Sequence, residues 1–184
     1  MSIVTHALPG KAVAAAGRYR LVSIAPRESV TCVIPAFNEE ATIQIVVERL
    51  LQGQFDVLVV DGGSSDSTVQ IVSKLCKVIV SEAGRATQMN AGAALCETEW
   101  LWFLHADSVL LAAPETYFSA IKSGSKDWGF FTPKLSGSGF TFRLIEKAMA
   151  LRSKLTFVAT RDQGLFVPRA VLYAQNGLPA IPLI

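Results

Sequence analysis

The sequence contains little cysteine, no long uninterrupted hydrophobic run and almost no net charge, and each shortage excludes a class of protein. Its three cysteines are isolated and form no C-x-x-C pair, so neither a zinc site nor a disulfide framework is indicated. The longest apolar stretch, residues 100–114, is interrupted by His105 and Asp107, whereas a membrane-spanning helix needs about 20 uninterrupted apolar residues. The formal net charge of +2 does not indicate nucleic acid as a partner. Isolated cysteines are typical of a reducing compartment, and we expect a cytoplasmic protein.

The composition is that of a folded domain. The chain has 184 residues, of which 51% are hydrophobic and 17% charged, enough for one domain with a sizeable core. Residues 1–29 differ from the rest because four basic residues precede the first acidic one, Glu28. We expect residues 1–29 to be a loosely ordered tail and residues 30–184 to be a single domain. A targeting or membrane-surface segment is the alternative for the tail.

From residue 30 onward, short β-branched apolar runs alternate with segments of helical periodicity. Strands are predicted at 30–35, 55–60, 77–80 and 100–104, and helices at 38–52, 67–75 and 84–95. Three successive strand–helix–strand units predict a mostly parallel sheet with helices on both faces, which is a three-layer α/β/α sandwich. Further along, we predict a helix and loop at 112–126, a strand at 128–135, an amphipathic helix at 140–157, a strand at 163–167 and a helix from 168.

Polar residues follow each of the first four predicted strands. They are Asn38 and Glu39 after the first, Asp61 after the second, Arg85 after the third and Asp107 after the fourth. Ligands of open α/β sheets bind beyond the carboxyl ends of the strands. Helix capping explains one such residue easily but four in succession less well, so the pattern predicts a binding site along this edge.

Four runs carry a resemblance to a known family: VIPAFNEEATI from residue 33, VVDGGSSDST from 59, GRATQMNAGA from 84 and WFLHAD from 102. In this order and spacing they resemble glycosyltransferase family 2, especially the radical-SAM/selenodomain-associated transferase 2 subgroup. The resemblance covers about residues 30–182. It implies the GT-A fold, which is Rossmann-like, and inverting transfer of a sugar from a nucleotide diphosphate. A UDP-sugar is favoured because UDP is the family's commonest donor nucleotide.

The resemblance also implies which residues contact the donor. Asp61 matches the position that recognises the nucleobase, and Glu39 a ribose or base contact; the alternatives are a turn residue and a helix-start residue. Asp66 is predicted to cap a helix. Arg85, beside the positive end of its helix, would meet the diphosphate, while packing is the alternative for Asn90. The predicted substrate-binding residues are Pro35, Ala36, Asn38, Glu39, Asp61, Gly62, Gly63, Arg85, Gln88, Asn90, Ala106 and Gln163.

A divalent metal, Mn²⁺ or Mg²⁺, is the cofactor that the resemblance implies. Asp107 matches the last residue of the family's Asp-x-Asp-like metal motif, and His105 stands where many relatives have aspartate. Imidazole accepts Mn²⁺ more readily than Mg²⁺, so we favour Mn²⁺. The alternative for His105 is a buried histidine at the end of a strand.

The catalytic base and the acceptor are less defined. In relatives a Glu-Asp pair follows a stretch that matches Gly177 to Leu183, and this sequence stops at Ile184. We therefore expect a truncated chain, with Asp162 as the remaining candidate base. The alternatives for Asp162 are contact with the metal, orientation of the acceptor and a loop residue without such a role. The alternative function is a nucleotide-sugar-binding protein without turnover. The basic helix predicted at 140–157 packs on the sheet or, alternatively, lies on a membrane and presents a lipid-linked acceptor. The sequence predicts no oligomeric state.

Two other nucleotide-binding classes are excluded by the same residues. A dinucleotide-dependent oxidoreductase needs G-x-G-x-x-G after the first strand. The residues at that place are PAFNEE, from Pro35 to Glu40, and their two carboxylates would repel a pyrophosphate. The glycine-rich basic loop that is typical of nucleotidyltransferases is missing there too.

Overall fold

The computed structural model describes residues 2–9, 30–123, 128–134 and 164–179. Within these ranges the chain forms eight strands and five helices. The strands are β1 (Ser2–Pro9), β2 (Val30–Ala36), β3 (Asp56–Asp61), β4 (Lys77–Val80), β5 (Trp100–Phe103), β6 (Val109–Leu110), β7 (Gly129–Lys134) and β8 (Gly164–Pro168). The helices are α1 (Ile43–Gln52), α2 (Thr68–Val72), α3 (Arg85–Ala94), α4 (Pro114–Ser123) and α5 (Arg169–Ala174). The helix predicted at 140–157 lies outside the described residues.

The eight strands form one sheet in the order β4-β3-β2-β5-β8-β7-β1-β6. Strands β4, β3, β2 and β5 are parallel to one another, and β8 and β7 extend the sheet with antiparallel pairing. The predicted α/β class with a mostly parallel sheet is therefore confirmed. After β4 the chain crosses back to place β5 on the other side of β2, so the carboxyl ends of β2 and β5 flank a topological switch point. Such a point is where open α/β sheets bind ligands.

Side chains alternate between two cores, one on each face of the sheet. Cys32 and Ile34 of β2 pack with α1, and Val33 between them packs with Met89 of α3. This alternation is the period of two expected for a strand that is buried on both faces. All three cysteines are free thiols, and burial raises the pKa of Cys32 well above its ordinary value, so we expect Cys32 to be unreactive.

Helix α3 lies very close to the sheet, and Gly92 permits this approach. A Cβ atom at position 92 would lie 2.5 Å from Val33 Cγ1 and 2.8 Å from Val60 Cγ2. Glycine in the middle of a helix normally costs stability relative to alanine, by about 0.5–1 kcal/mol. Here the close contact of α3 with β2 and β3 outweighs the usual preference for alanine over glycine in a helix.

We therefore expect Gly92→Ala to destabilise the protein by about 1–3 kcal/mol, because the added methyl group forces the helix away from the sheet. The midpoint of urea denaturation, monitored by circular dichroism, measures the effect. Ala94→Ser, on the exposed side of the same helix, is the control and should change stability little. A Gly92→Ala variant as stable as the wild type would contradict this packing.

Residues 2–9, which belong to the expected tail, form a strand in the structure. They form β1, which pairs antiparallel with β7 and parallel with β6. The physical reason is that an edge of β7 would otherwise present unpaired N–H and C=O groups, and the apolar, β-branched sequence SIVTHALP suits a strand. Residues 10–29 lie outside the described residues. No helix in the described part of the chain combines the length and the apolar character needed to cross a bilayer.

Candidate functional site

Three loops and one helix start lie along the carboxyl ends of the parallel strands. We call them the β2 loop (residues 37–42), the β3 loop (residues 62–67) and the β5 loop (residues 104–108), with the first turn of α3 beside them. The β2 and β5 loops flank the switch point, because β2 and β5 are direct neighbours in the sheet. The polar clusters singled out in the sequence therefore share one edge of the sheet, as predicted.

Asp61 organises the β3 loop. Its side chain is only 2% exposed, and its Oδ2 accepts hydrogen bonds of 2.9 Å from the N–H groups of Gly63 and Ser64. The hydroxyl of Ser64 donates a 2.5 Å hydrogen bond to Oδ1. These contacts are those of a turn residue that satisfies its own loop, the alternative raised above. A carboxylate has about four acceptor positions, so a nucleobase contact by Asp61 stays a prediction.

The β2 and β3 loops are joined by hydrogen bonds in both directions. Ser64 Oγ accepts from the N–H of Asn38 at 2.8 Å, and Asn38 Oδ1 accepts from the N–H of Ser65 at 2.8 Å. Asn38 has a φ of +54°, a left-handed conformation that asparagine adopts more easily than most residues. It therefore does not cap α1, which begins at Ile43, but ties two loops together.

Glu40 and Asp66 make a second reciprocal connection. The N–H of Glu40 donates to Asp66 Oδ2 at 3.1 Å, and the N–H of Ser67 donates to Glu40 Oε2 at 2.9 Å. Asp66 Oδ1 also accepts from the N–H of Thr68, the first residue of α2, although Ser67 and not Asp66 occupies the cap position. Desolvation raises the pKa of Asp66, but hydrogen bonds from Thr68 and Glu40 outweigh it and hold that pKa below its ordinary value.

Glu39 is half-buried between these connections. Its N–H donates to Thr68 Oγ1 at 2.8 Å, and its Oε2 accepts from Thr42 Oγ1 at 3.1 Å. Pro35 and Ala36 are buried at the end of β2. Sequence reasoning did not identify Ser64 and Thr68 as site residues, although the serine-rich run after Asp61 was a signal for them. The two loops thus form a rigid, preorganised wall rather than a set of independent side chains.

Arg85 is the first residue of α3 and is half-buried. It stands where the helix presents its unsatisfied N–H groups and the positive end of its dipole. A guanidinium beside a helix start suits a diphosphate. The structure therefore places Arg85 where its predicted role requires it, and the contact itself stays a prediction.

His105 and Asp107 lie next to each other in the β5 loop. His105 Nδ1 is 2.7 Å from Asp107 Oδ1, and their side chains are 29% and 41% exposed. His105 is therefore not the buried strand-end histidine of the alternative, while Ala106 between them is fully buried. No group of three or more potential metal-ligating side chains occurs in the described ranges. One imidazole and one carboxylate fit a Mn²⁺ ion that takes its other ligands from a diphosphate and water.

Asn90 binds backbone rather than facing the loops. Its Nδ2 donates to the carbonyl of Leu178 at 2.8 Å, and its Oδ1 accepts from the N–H of Leu178 at 2.7 Å. Leu178 also packs in the same core cluster as Met89 of α3. The structure thus gives Asn90 the packing and backbone role that was the alternative to a donor contact.

We expect Asn90→Ala to release residues 177–179 from α3. Two hydrogen bonds are lost, and the N–H and C=O groups of Leu178 lose their partner, which should cost about 1–3 kcal/mol. Hydrogen exchange measured by mass spectrometry on peptides covering residues 172–179 should become faster. Gln175→Ala, at an exposed position of the same segment, is the control. Equal exchange in Asn90→Ala and the wild type would show that the amide does not hold this segment.

Two predicted site residues, Asp162 and Gln163, lie outside the described residues, as do residues 180–184. The role of Asp162 as catalytic base therefore stays a prediction. The other predicted site residues all lie within the described ranges.

Comparisons with known proteins agree with the family predicted from the motifs. Residues 31–115 match the sequence model described as "Glycosyl transferase family 2", while the subgroup stays a prediction. No curated protein sequence matches the chain.

Solved structures resemble the chain at the level of the fold. It is similar to glucosyl-3-phosphoglycerate synthase from Mycobacterium tuberculosis in complex with UDP, with 19% identity and a TM-score of 0.56. It is also similar to the same enzyme with phosphoglyceric acid (20%, 0.58) and with Mn²⁺ and UDP-glucose (18%, 0.57). In each case 79% of this chain and 58% of that chain are covered. At identities this low the likeness shows the fold alone, and the chain spans less than two thirds of the length of these structures.

Proposed function

We propose that this chain binds a nucleotide diphosphate sugar and transfers the sugar, with inversion, to an acceptor, because residues 31–115 match the sequence model of glycosyltransferase family 2. The observation that carries the proposal is the convergence of the β2, β3 and β5 loops and the start of α3 at the switch point of the sheet. These elements offer carboxylates, an arginine with a helix start, and a His–Asp pair. That combination suits a nucleoside, a diphosphate and a divalent cation, respectively.

The nucleoside is proposed to lie against the β2 and β3 loops. Their many mutual hydrogen bonds fix the positions of Glu39 and Asp61, and a preorganised site loses less entropy when a ligand binds. Carboxylate oxygens accept hydrogen bonds from a base N–H or from ribose hydroxyls. Gly63 is exposed and lets the ligand approach the backbone closely, whereas Gly62 is buried against Gln88.

The diphosphate is proposed to lie between the start of α3 and the β5 loop. Arg85 and the N–H groups of the first helical turn stabilise its charge. Asp107 and His105 would hold a divalent ion, which would neutralise charge on the departing nucleotide. Mn²⁺ and a UDP-sugar are our choices, supported by the relative that was crystallised with Mn²⁺ and UDP-glucose.

Inversion requires a base that takes the proton from the acceptor hydroxyl during attack on the far side of the sugar. Asp162 is our candidate for this base. An acceptor carried on a lipid would bring the protein to the cytoplasmic face of a membrane, and sedimentation with anionic vesicles tests that part of the proposal.

The test is a calorimetric titration of UDP and GDP, each with and without Mn²⁺, followed by an assay for release of UDP from UDP-glucose. We expect one nucleotide to bind at a 1:1 ratio and more tightly with Mn²⁺. Binding followed by sugar release supports a transferase, whereas binding without release supports the alternative of a nucleotide-sugar-binding protein. Absence of binding to a folded chain would contradict both.

A further inference from the structure

Gln88 is buried between α3 and the ends of two strands. Its side chain is only 4% exposed. The amide nitrogen donates to the carbonyl of Ala36 and to the carbonyl of Val60, both at 2.8 Å. These carbonyls lie at the carboxyl ends of β2 and β3, where the β2 and β3 loops leave the sheet.

The position of this amide is closely constrained. The carbonyl of Ala36 also accepts from the N–H of Gly62 at 2.9 Å, so one oxygen links β2, the β3 loop and α3. A Cβ atom at position 62 would lie 3.0 Å from Gln88 Nε2, and glycine therefore leaves room for the amide. With both N–H groups committed to the backbone, the amide nitrogen has no donor left for a ligand.

Gln88 also stands one helical turn after Arg85 on the same face of α3, at an axial distance of about 4.5 Å. The Gln88 end of this helical turn contacts the two strand ends that lead into the loops proposed to hold the nucleoside. The other end carries the arginine and helix start proposed to hold the diphosphate. A ligand that contains both a nucleoside and a diphosphate must match the distance between these loops and the start of α3, and Gln88 sets that distance.

We propose that Gln88 is a positioning residue that fixes the nucleoside-binding loops relative to the diphosphate-binding start of α3. The inference rests on the proposed function and adds a specific consequence to it. Loss of the two hydrogen bonds weakens binding of a whole nucleoside diphosphate more than binding of the nucleoside alone. The reason is that the loops and the start of α3 are then no longer held at the separation that lets both contact one ligand.

The experiment compares wild type with Gln88→Met, which has a similar length and no N–H donor. UDP binding is measured by calorimetry and uridine binding by NMR titration. We expect UDP to bind about tenfold more weakly in the variant, with uridine affinity unchanged within about twofold. Gln70→Met, at an exposed position of α2, is the matched control and should match the wild type for both ligands.

A second variant, Gln88→Leu, is uncharged and has no amide donors, and it should weaken UDP binding without changing uridine binding. Unchanged UDP affinity in either folded variant would overturn the proposal, as would equal weakening of UDP and uridine. If neither variant folds at 25 °C, the role of Gln88 is structural and the proposal is also wrong. Failure of the wild type to bind UDP would instead contradict the proposed function itself.

Discussion

Replacement of Asp107 by alanine is expected to weaken Mn²⁺-supported UDP binding by about 100-fold, which corresponds to about 2.7 kcal/mol. Asp107 is half-exposed beside His105 and is the negatively charged member of the pair. Loss of one of the two proposed protein ligands would leave the ion held by His105 and by the nucleotide alone. Binding of UDP in the absence of metal should change little.

Calorimetric titration of UDP at saturating Mn²⁺ and in EDTA measures this effect. The control is Asp56→Ala, which removes the same charge from an exposed position at the amino end of β3, at the opposite edge of the sheet. An Asp107→Ala variant that retains the full Mn²⁺ dependence would show that the metal is bound elsewhere.

Trp102→Ala is expected to cost about 3–5 kcal/mol of stability, because it opens a large cavity in the core. Trp102 is completely buried. Its ring lies 5.3 Å from that of Tyr117, 5.3 Å from that of Phe131 and 5.4 Å from that of Phe55. It therefore joins β5 to α4, to β7 and to the start of β3. Small domains have a total stability of about 5–15 kcal/mol, so the variant should be close to its unfolding threshold.

Urea denaturation followed by circular dichroism measures the loss. Trp128→Ala is the matched control, since Trp128 is half-buried and its ring lies 6.4 Å from that of Phe130. Its replacement should cost less. If Trp102→Ala does not fold, Trp102→Phe should still show a loss of about 1–2 kcal/mol. Equal losses at the two tryptophans would contradict a core centred on Trp102.

The parallel half of the fold was predictable because its signals are local. Each strand from β2 to β5 is a short β-branched or aromatic run, and α3 begins and ends close to its predicted limits. Helix α1 ends as predicted at Gln52 but begins at Ile43, five residues after its predicted start. The pairing of β1 with β7 was not predictable, since it joins residues 2–9 to residues 129–134 without a turn between them. Pairings between distant segments leave no periodic pattern in the sequence.

In the site, too, positions that follow from local signals were predictable and contacts between distant segments were not. The positions of Asp61, Arg85 and Asp107 followed from the rule that polar residues after parallel strands share one edge. The partners of Gln88 and Asn90 did not follow, because each amide binds backbone atoms 28 to 88 residues away. Both were predicted as donor contacts from the resemblance, and in the structure both amides bind the protein's own backbone.

The most direct measurement is a crystal structure of this chain grown with UDP and Mn²⁺. We predict the uridine between the β2 and β3 loops, the diphosphate beside Arg85, and the ion bound to Asp107 and to phosphate oxygens. An ordered UDP molecule at any other surface, with these loops lacking ligand, would contradict the proposed donor site.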